Sequence, residues 1–432
     1  MNGELPKILT VSINAWRDNS GINTLTGILS SWDSKKVAQI YTRSVLPHTV
    51  VCNRFFQISE GRMIRSIFKR NIVTGTEVKN KTEESESEEE QKERKRYQKK
   101  GKIPGIILTW AREFVWILGK WKSSNLDRFM ADYAADVLFI PIYPTIYMGR
   151  IQKYVIMKTK KPVVSYIADD NYSYLACAKD PLSILHRFFV RRYVKYIIEN
   201  SEQVFVIAPK QKEEYDRLFG INSKILTKGI DFSQNPYHEK RLNTPIKMIY
   251  TGKLLIGRWK SLALIAEAIE EINKSKRIIE LDIYTTDSIT KAQAEALNRN
   301  GCRIRGALNQ RQVREVQSGA DILVFVESLE RKYRNIARLS FSTKLTDYMA
   351  SGKCIFAVGD KNIAPIDYFN RYDAAITASS RAEIGGKLNL LVNNPNIITQ
   401  YSKKGYECGV EHHQRKKMNH LFVSTICSVV KR

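Results

Sequence analysis

Ser340, Ser342 and Thr343 place three hydroxyls within four positions, and Lys344 and Asp347 follow three apart. Ser and Thr are the residue types that open helices, so positions 344–350 predict two helical turns with Leu345 and Met349 on the buried side. Gly352 suits the stop, and 354–358 predicts a buried strand. A helix that starts with free backbone N–H groups beside hydroxyls and a lysine is in outline an anion site. Lys344 and Asp347 share a face turned away from Leu345, so a cation and a carboxylate can address one ligand. A nucleoside diphosphate fits that pair of groups, phosphates at the helix start and ribose hydroxyls at the carboxylate.

Other candidates fall at ends of predicted strands. Lys253, Arg258 and Lys260 cluster between a strand at 246–251 and a helix at 261–272. Asp169 and Asp170 follow a strand at 163–167, where α/β sheets bind ligands. They are candidates for a general base toward a hydroxyl, or for an Asx turn or N-cap leading into the next helix. Glu327 ends the apolar run 322–326 and is placed either to face a substrate or to cap a helix. Near the start, a strand at 8–13 leads through Asn19-Ser20-Gly21 into a helix from Leu25, an order in which Gly21 lets a ligand approach the backbone or makes an ordinary turn.

The elements that must position these residues alternate strand and helix in two successive halves, which predicts two Rossmann-like domains. At 432 residues the chain exceeds one ordinary core. A polar stretch ending at Pro245 places the boundary near 240, giving 1–240 and 241–432. Positions 79–105 change abruptly to an acidic block and then a basic one, a solvated insertion in the first half.

The stretch TKLTDYMASGKCIFAVG resembles the segment of glycosyltransferase family 4 in which Lys-Leu leads into Glu-Tyr/Ala-Met-Ala-x-Gly-Lys-Pro and a strand. Asp347 stands at that family's ribose-binding glutamate. Leu339 stands, eight positions earlier, where the family carries the first glutamate of its pair. The stretch from Gly252 to Lys260 resembles the family's diphosphate-binding loop, with Lys253 as one cation and either Arg258 or Lys260 as the other. Arg305-Gly306-Ala307-Leu308 resembles the family's base-contacting turn and TKGID at 227–231 the turn that ends its first domain, and Gly21 falls where the family has a glycine-containing loop facing the donor diphosphate and the acceptor.

The resemblance implies an α/β protein of GT-B fold, two Rossmann-like domains facing across a cleft. It implies transfer of a sugar from a UDP- or GDP-linked donor to a hydroxyl, with retention of configuration. The nucleotide-sugar enters as substrate, with no cofactor and no metal. The candidate donor-binding residues are therefore Gly21, Lys253, Arg258, Lys260, Arg305, Gly306, Leu308, Ser342, Thr343, Lys344 and Asp347, and the candidate catalytic residues Asp170, Asp169 and Glu327.

A formal charge of +26 implies an anionic partner. Two basic aromatic segments, 106–126 and 182–200, predict helices that either pack in the core or lie on anionic lipid. They suggest a glycan or polyprenyl-linked acceptor at a membrane surface. No run is long enough to span a membrane and no signal peptide is evident, so a cytoplasmic protein is expected, peripheral on the inner face of the membrane. The six cysteines are scattered and read as reduced residues. His412 and His413 read as a solvated helix face. The competing classes are a polyanion- or nucleic-acid-binding protein on a degenerate Rossmann scaffold and a nucleotide-sugar epimerase. No helix-turn-helix, zinc or RNA-binding signature supports nucleic acid.

Overall fold

The computed structural model describes residues 4–18, 24–69, 71–80, 105–234 and 236–431. Gly21 and almost all of the charged insertion lie outside them. Contacts divide the chain into two compact units, one of residues 1–207, 212–226 and 419–432, the other of 208–211 and 227–418.

The first unit is an eight-stranded sheet. In chain order its strands are β1 (Ile8–Ser12), β2 (Val37–Tyr41), β3 (Arg54–Ile58), β4 (Gly75–Val78), β5 (Val137–Pro141), β6 (Val163–Ile167), β7 (Gln203–Val206) and β8 (Lys224–Ile225). They lie in the order β4-β3-β2-β1-β5-β6-β7-β8, parallel throughout except for the β3–β4 pair. Every residue of β1, β2, β5 and β6 is buried. Burial along whole strands, with Thr10, Ser12, Gln39 and Ser165 among the apolar residues, is what a parallel sheet covered on both faces gives. Its helices are α1 (Thr24–Ile28), α2 (Glu60–Phe68), α3 (Gly105–Leu118), α4 (Ser124–Tyr133), α5 (Ile146–Thr159), α6 (Pro181–Glu199) and α7 (Pro209–Phe219).

Two expectations are corrected here. The segment 106–126 is two helices, not one, because the Ser123 hydroxyl accepts the Leu126 N–H and starts α4. Core packing takes its larger aromatics: Trp116 and Trp121 are buried, and Trp116 stacks on Tyr147 at 4.7 Å. The boundary near 240 also moves, since the chain enters the second unit at 227 and returns to the first at 419. The return is driven by Phe422, fully buried, whose ring meets Trp32 at 5.7 Å and Phe139 at 5.2 Å.

The second unit is a six-stranded, wholly parallel sheet. Its strands are β9 (Ile246–Thr251), β10 (Ile279–Tyr284), β11 (Cys302–Gly306), β12 (Ile322–Val326), β13 (Cys354–Val358) and β14 (Ile376–Ala378). The order β11-β10-β9-β12-β13-β14 is the doubly wound one, with its switch point between β9 and β12. The helices are α8 (Arg258–Ile272), α9 (Lys291–Leu297), α10 (Gln310–Ser318), α11 (Arg331–Arg334), α12 (Thr343–Ala350), α13 (Ala364–Tyr372), α14 (Arg381–Asn393), α15 (Asn396–His413) and α16 (Arg415–Val430), whose later part belongs to the first unit.

Candidate functional site

At the switch point the chain leaves β9 at Thr251 and β12 at Val326, and the connections diverge to opposite faces of the sheet. The crevice between diverging loops is where doubly wound sheets take ligands. Lys344, in the first turn of α12, reaches back to it: Nζ donates to the Thr251 carbonyl at 3.0 Å. The β9–α8 loop is shaped around that contact. A Cβ on Gly252 would lie 2.8 Å from the Tyr250 hydroxyl and 3.0 Å from Lys344 Nζ, so a side chain here would push the tyrosine aside and crowd the lysine. Gly257 adopts φ +73°, and a Cβ on it would lie 2.5 Å from Ser328 Oγ. Glycine therefore lets the loop turn into α8 against the β12 end.

The cations are held in different ways. Arg258 makes a bidentate pair with Glu327, Nε–Oε2 3.0 Å and Nη2–Oε1 2.7 Å. Burial opposes the guanidinium charge, but the Glu327 carboxylate outweighs it and raises the pKa. Glu327 is itself buried, its N–H given to Val358 O and its carbonyl accepting Ser261 Oγ at 2.8 Å. It neither caps a helix nor stands unpaired; its carboxylate fixes Arg258. Lys260 pairs with Glu330 at 2.8 Å. Lys253 is exposed, its side chain without a partner among the described residues. Lys344 has a lowered pKa, first from burial of its ammonium end and then from the Arg258 charge, with Lys253 adding to it. The residue as a whole is open to solvent, so it is the tip lodged at Thr251 O that feels both effects. These cations repel one another, which is the electrostatic state of a site built for an anion.

The start of α12 completes the arrangement. Ser342 is its N-cap, but the hydroxyl makes no capping bond, so the N–H groups of Thr343 and Lys344 lack an intrahelical acceptor. Asp347, one turn on, is exposed and pairs with Lys228 of the 227–231 turn. Tyr348 lies beneath, its hydroxyl 3.3 Å from Thr251 Oγ1.

The structure thus brings Lys253, Arg258, Glu327, Ser342, Thr343 and Lys344 to one crevice, with Lys260 and Asp347 at its margins. Arg305, Gly306 and Leu308 lie at the same sheet edge but at β11, two strands from β9. There Arg305 is held by buried Asp282 at 2.7 Å. Asp169 and Asp170 belong to the first unit, just past β6. Asp170 is buried and its carboxylate accepts the Ser173 N–H three positions on at 2.8 Å, a capping-type bond rather than a two-residue Asx turn. Asp169 is exposed.

His413 departs from the solvated helix face expected of it. It is buried, Nδ1 2.7 Å from Thr227 Oγ1 and Nε2 2.8 Å from the Tyr368 hydroxyl, and its ring stacks beside Phe341, just before the α12 cap. Burial lowers its pKa to about 3. Glu113 is a second buried group that residue patterns missed. Its carboxylate accepts the N–H of Ile146 at 2.9 Å and of Tyr147 at 2.7 Å at the start of α5. Thr251, Lys228 and Glu330 also escaped notice. The Thr-Gly-Lys at a strand end was a usable signal for Thr251, whereas the partners of Lys228 and Glu330 are distant in sequence. Among the described residues, no group of three His, Cys, Asp or Glu side chains is placed to hold a metal ion.

No family model matches the chain, and no curated protein matches it in sequence. Solved structures match it along almost its whole length. HepE of Anabaena, solved in complex with UDP, is 9% identical, with a TM-score of 0.61 over 98% of this chain and 100% of that one. Sucrose-phosphate synthase from Thermosynechococcus elongatus is 11% identical, with a TM-score of 0.62 over 98% and 99%. TarM of S. aureus, in complex with fondaparinux, alpha-GlcNAc-glycerol and UDP, is 10% identical, with a TM-score of 0.56 over 97% and 99%. Two doubly wound units and these likenesses together show that the chain has the GT-B fold, two Rossmann-like domains.

Proposed function

We propose that the protein is a glycosyltransferase that moves a sugar from a nucleotide-sugar donor to a hydroxyl acceptor. The observation that carries this is the convergence of the Lys344 ammonium, the uncapped start of α12 and Lys253 at the switch point of the second sheet. A departing nucleoside diphosphate gains negative charge as the glycosidic bond breaks. Preorganised donors facing that charge lower the barrier, and cations supply the compensation that a metal ion gives elsewhere. Lys344, Lys253 and the N–H groups of Thr343 and Lys344 meet the phosphates. Arg258, oriented by Glu327, adds long-range positive charge. Asp347 takes the ribose hydroxyls in exchange for its exposed pair with Lys228, an exchange that costs little.

HepE has been solved with UDP and with UDP-glucose, which supports a uridine nucleotide as the donor class. We read transfer as retaining, on the resemblance of 343–359 to family 4. Of the two carboxylates after β6, Asp169 is the solvent-facing one and the better placed to take a proton from an acceptor.

We read the acceptor as a glycan or polyprenyl-linked molecule at an anionic membrane surface. Phe114 and Leu118 on α3 and Leu185 and Phe188 on α6 are exposed apolar side chains, joined by Trp110, whose indole donates to Leu182 O. Lys120, Arg192 and Lys195 are exposed on the same two segments. No described helix is long and apolar enough to cross a membrane, so this face would lie on one. Replacing Phe114 and Phe188 by serine should abolish flotation with phosphatidylglycerol vesicles; unchanged flotation would remove this part.

The function itself is tested by thermal shift with a panel of UDP-, GDP- and dTDP-sugars. At least one should raise the melting temperature of the wild type and leave a Lys253→Ala/Lys344→Ala variant unmoved. No stabilisation by any donor would overturn the proposal. A polyanion binder would instead be stabilised by heparin or DNA in a salt-dependent way that this variant retains.

A further inference from the structure

The first unit holds a cavity of about 530 Å³ that the donor site does not use. It lies on the outer helical layer. One wall is the stripe Arg150, Lys153, Tyr154 and Lys158 of α5, residues that share a face at helical spacing. Met157 lies on the same helix, and the rest of the lining is Trp121 and Lys122, between α3 and α4, and Tyr193 of α6. Helix α5 begins beyond the end of β5 and runs back along the sheet, so this face lies away from the strand C-termini where α/β sheets take their substrates.

The charges on the cavity are largely uncompensated. Lys158 pairs with Asp127 at 2.9 Å, and Asp127 also accepts the Tyr154 hydroxyl. The other three cations have no carboxylate partner among the described residues. Lys122 Nζ sits 5.0 Å over the Tyr154 ring and 5.5 Å over Trp121, and Lys153 Nζ sits 4.3 Å over Tyr196. Arg150 gives one Nη1 bond to Trp116 O at 3.1 Å and keeps its remaining donors. Aromatic faces steer all three without neutralising them. Three such charges on a concave, aromatic-walled cavity focus positive potential into it.

We propose that this cavity is a second binding site, for the phosphate ester of a sugar or polyol. Lys122, Lys153 and Arg150 take the phosphate by charge-assisted hydrogen bonds, and Tyr154 and Tyr193 pack against the carbon skeleton. The volume admits a ligand the size of a hexose phosphate. The same chemistry is offered by a free sugar phosphate and by a phospholipid headgroup. The proposal does not depend on the donor site being a glycosyltransferase site.

The test uses the full chain and two probes, glucose 6-phosphate by calorimetric titration and phosphatidylglycerol vesicles by flotation. Lys122→Ala/Lys153→Ala should weaken glucose 6-phosphate binding at least tenfold, while Lys344→Ala leaves it unchanged and neutral glucose does not bind. That result assigns a soluble ligand. If instead only vesicle binding falls, and falls further than in Lys276→Ala/Arg277→Ala, which removes equal exposed charge outside both the cavity and the α3–α6 face, the ligand is a lipid headgroup. The proposal is overturned if the Lys122/Lys153 variant matches the wild type with both probes. It is equally overturned if the wild type binds neither, or if loss appears only with vesicles and equally in both double variants. Both pairs are accessible surface lysines and arginines, and circular dichroism confirms folding.

Discussion

Arg258 and Glu327 are the tightest pair at the switch point, and both are withdrawn from solvent far enough for the pairing to matter. The Glu327 side chain is 10% exposed and that of Arg258 27%. Removing one partner of such a pair leaves a charge poorly hydrated, and partial exposure of Arg258 reduces that cost. Glu327→Gln should therefore destabilise the second unit by about 2 kcal/mol in urea denaturation. Arg258→Met added to it should restore part of that loss, because the stranded charge is then gone. If the double variant is no more stable than Glu327→Gln, the pair is not what fixes Arg258. The lowered pKa of Lys344 belongs to the same scale. Burial and the Arg258 charge draw it down, and a bound diphosphate, which favours the charged form, should raise it again.

Among the elements, α12 and the loop before it depend on a buried network that its own residues do not announce. His413 at the end of α15 links Thr227, Tyr368 of α13 and the ring of Phe341. Its folded pKa of about 3 lies below the unfolded value, so the unfolded chain binds the extra proton as pH falls. Stability is full above about pH 6.5 and is lost progressively as pH falls toward 3. The loss at about pH 4 should be on the order of 3 kcal/mol. His413→Gln should cost stability at neutral pH and flatten that acid limb; an unchanged limb would place the titration elsewhere. Much of α12 itself was legible: hydroxyls, an amphipathic two-turn stretch and Gly352 are local signals, and Gly352 does take φ +62°. The network beneath it was not, because Thr227 and His413 are 186 residues apart. The same limit hid Glu113, whose role is to meet N–H groups 33 and 34 positions away. A single-helix reading of 106–126 also runs α3 and α4 together across the short connection 119–123, passing over its Gly119 stop and Ser123 cap.

For the whole molecule, strand and helix alternation made two doubly wound sheets legible, because a parallel sheet needs a crossover helix after each strand. The path between them was not, since the last helix carries no local mark of which core it joins. Phe422 decides it by filling the first core against Trp32, Phe139 and Phe205. Phe422→Ala should cost about 3–5 kcal/mol. It should lower the melting of the first unit before that of the second, seen as loss of hydrogen-exchange protection in β1, β5 and β7. Equal loss in both sheets would contradict the assignment of 419–432 to the first unit. The charge of +26 also works at this scale. On the proposals above, part of it lines a crevice in the second unit and part a helical face and a cavity in the first, each for its own anion.

The central claim is that the crevice between β9 and β12 holds the diphosphate of a nucleotide-sugar. It is tested most directly by calorimetric titration of the full chain with UDP, comparing the wild type with Lys344→Ala and Lys122→Ala. A charge-assisted contact contributes about 1.5–3 kcal/mol, so Lys344→Ala should bind UDP at least tenfold more weakly while Lys122→Ala binds it as the wild type does. UDP binding of equal strength in Lys344→Ala and the wild type would contradict the account.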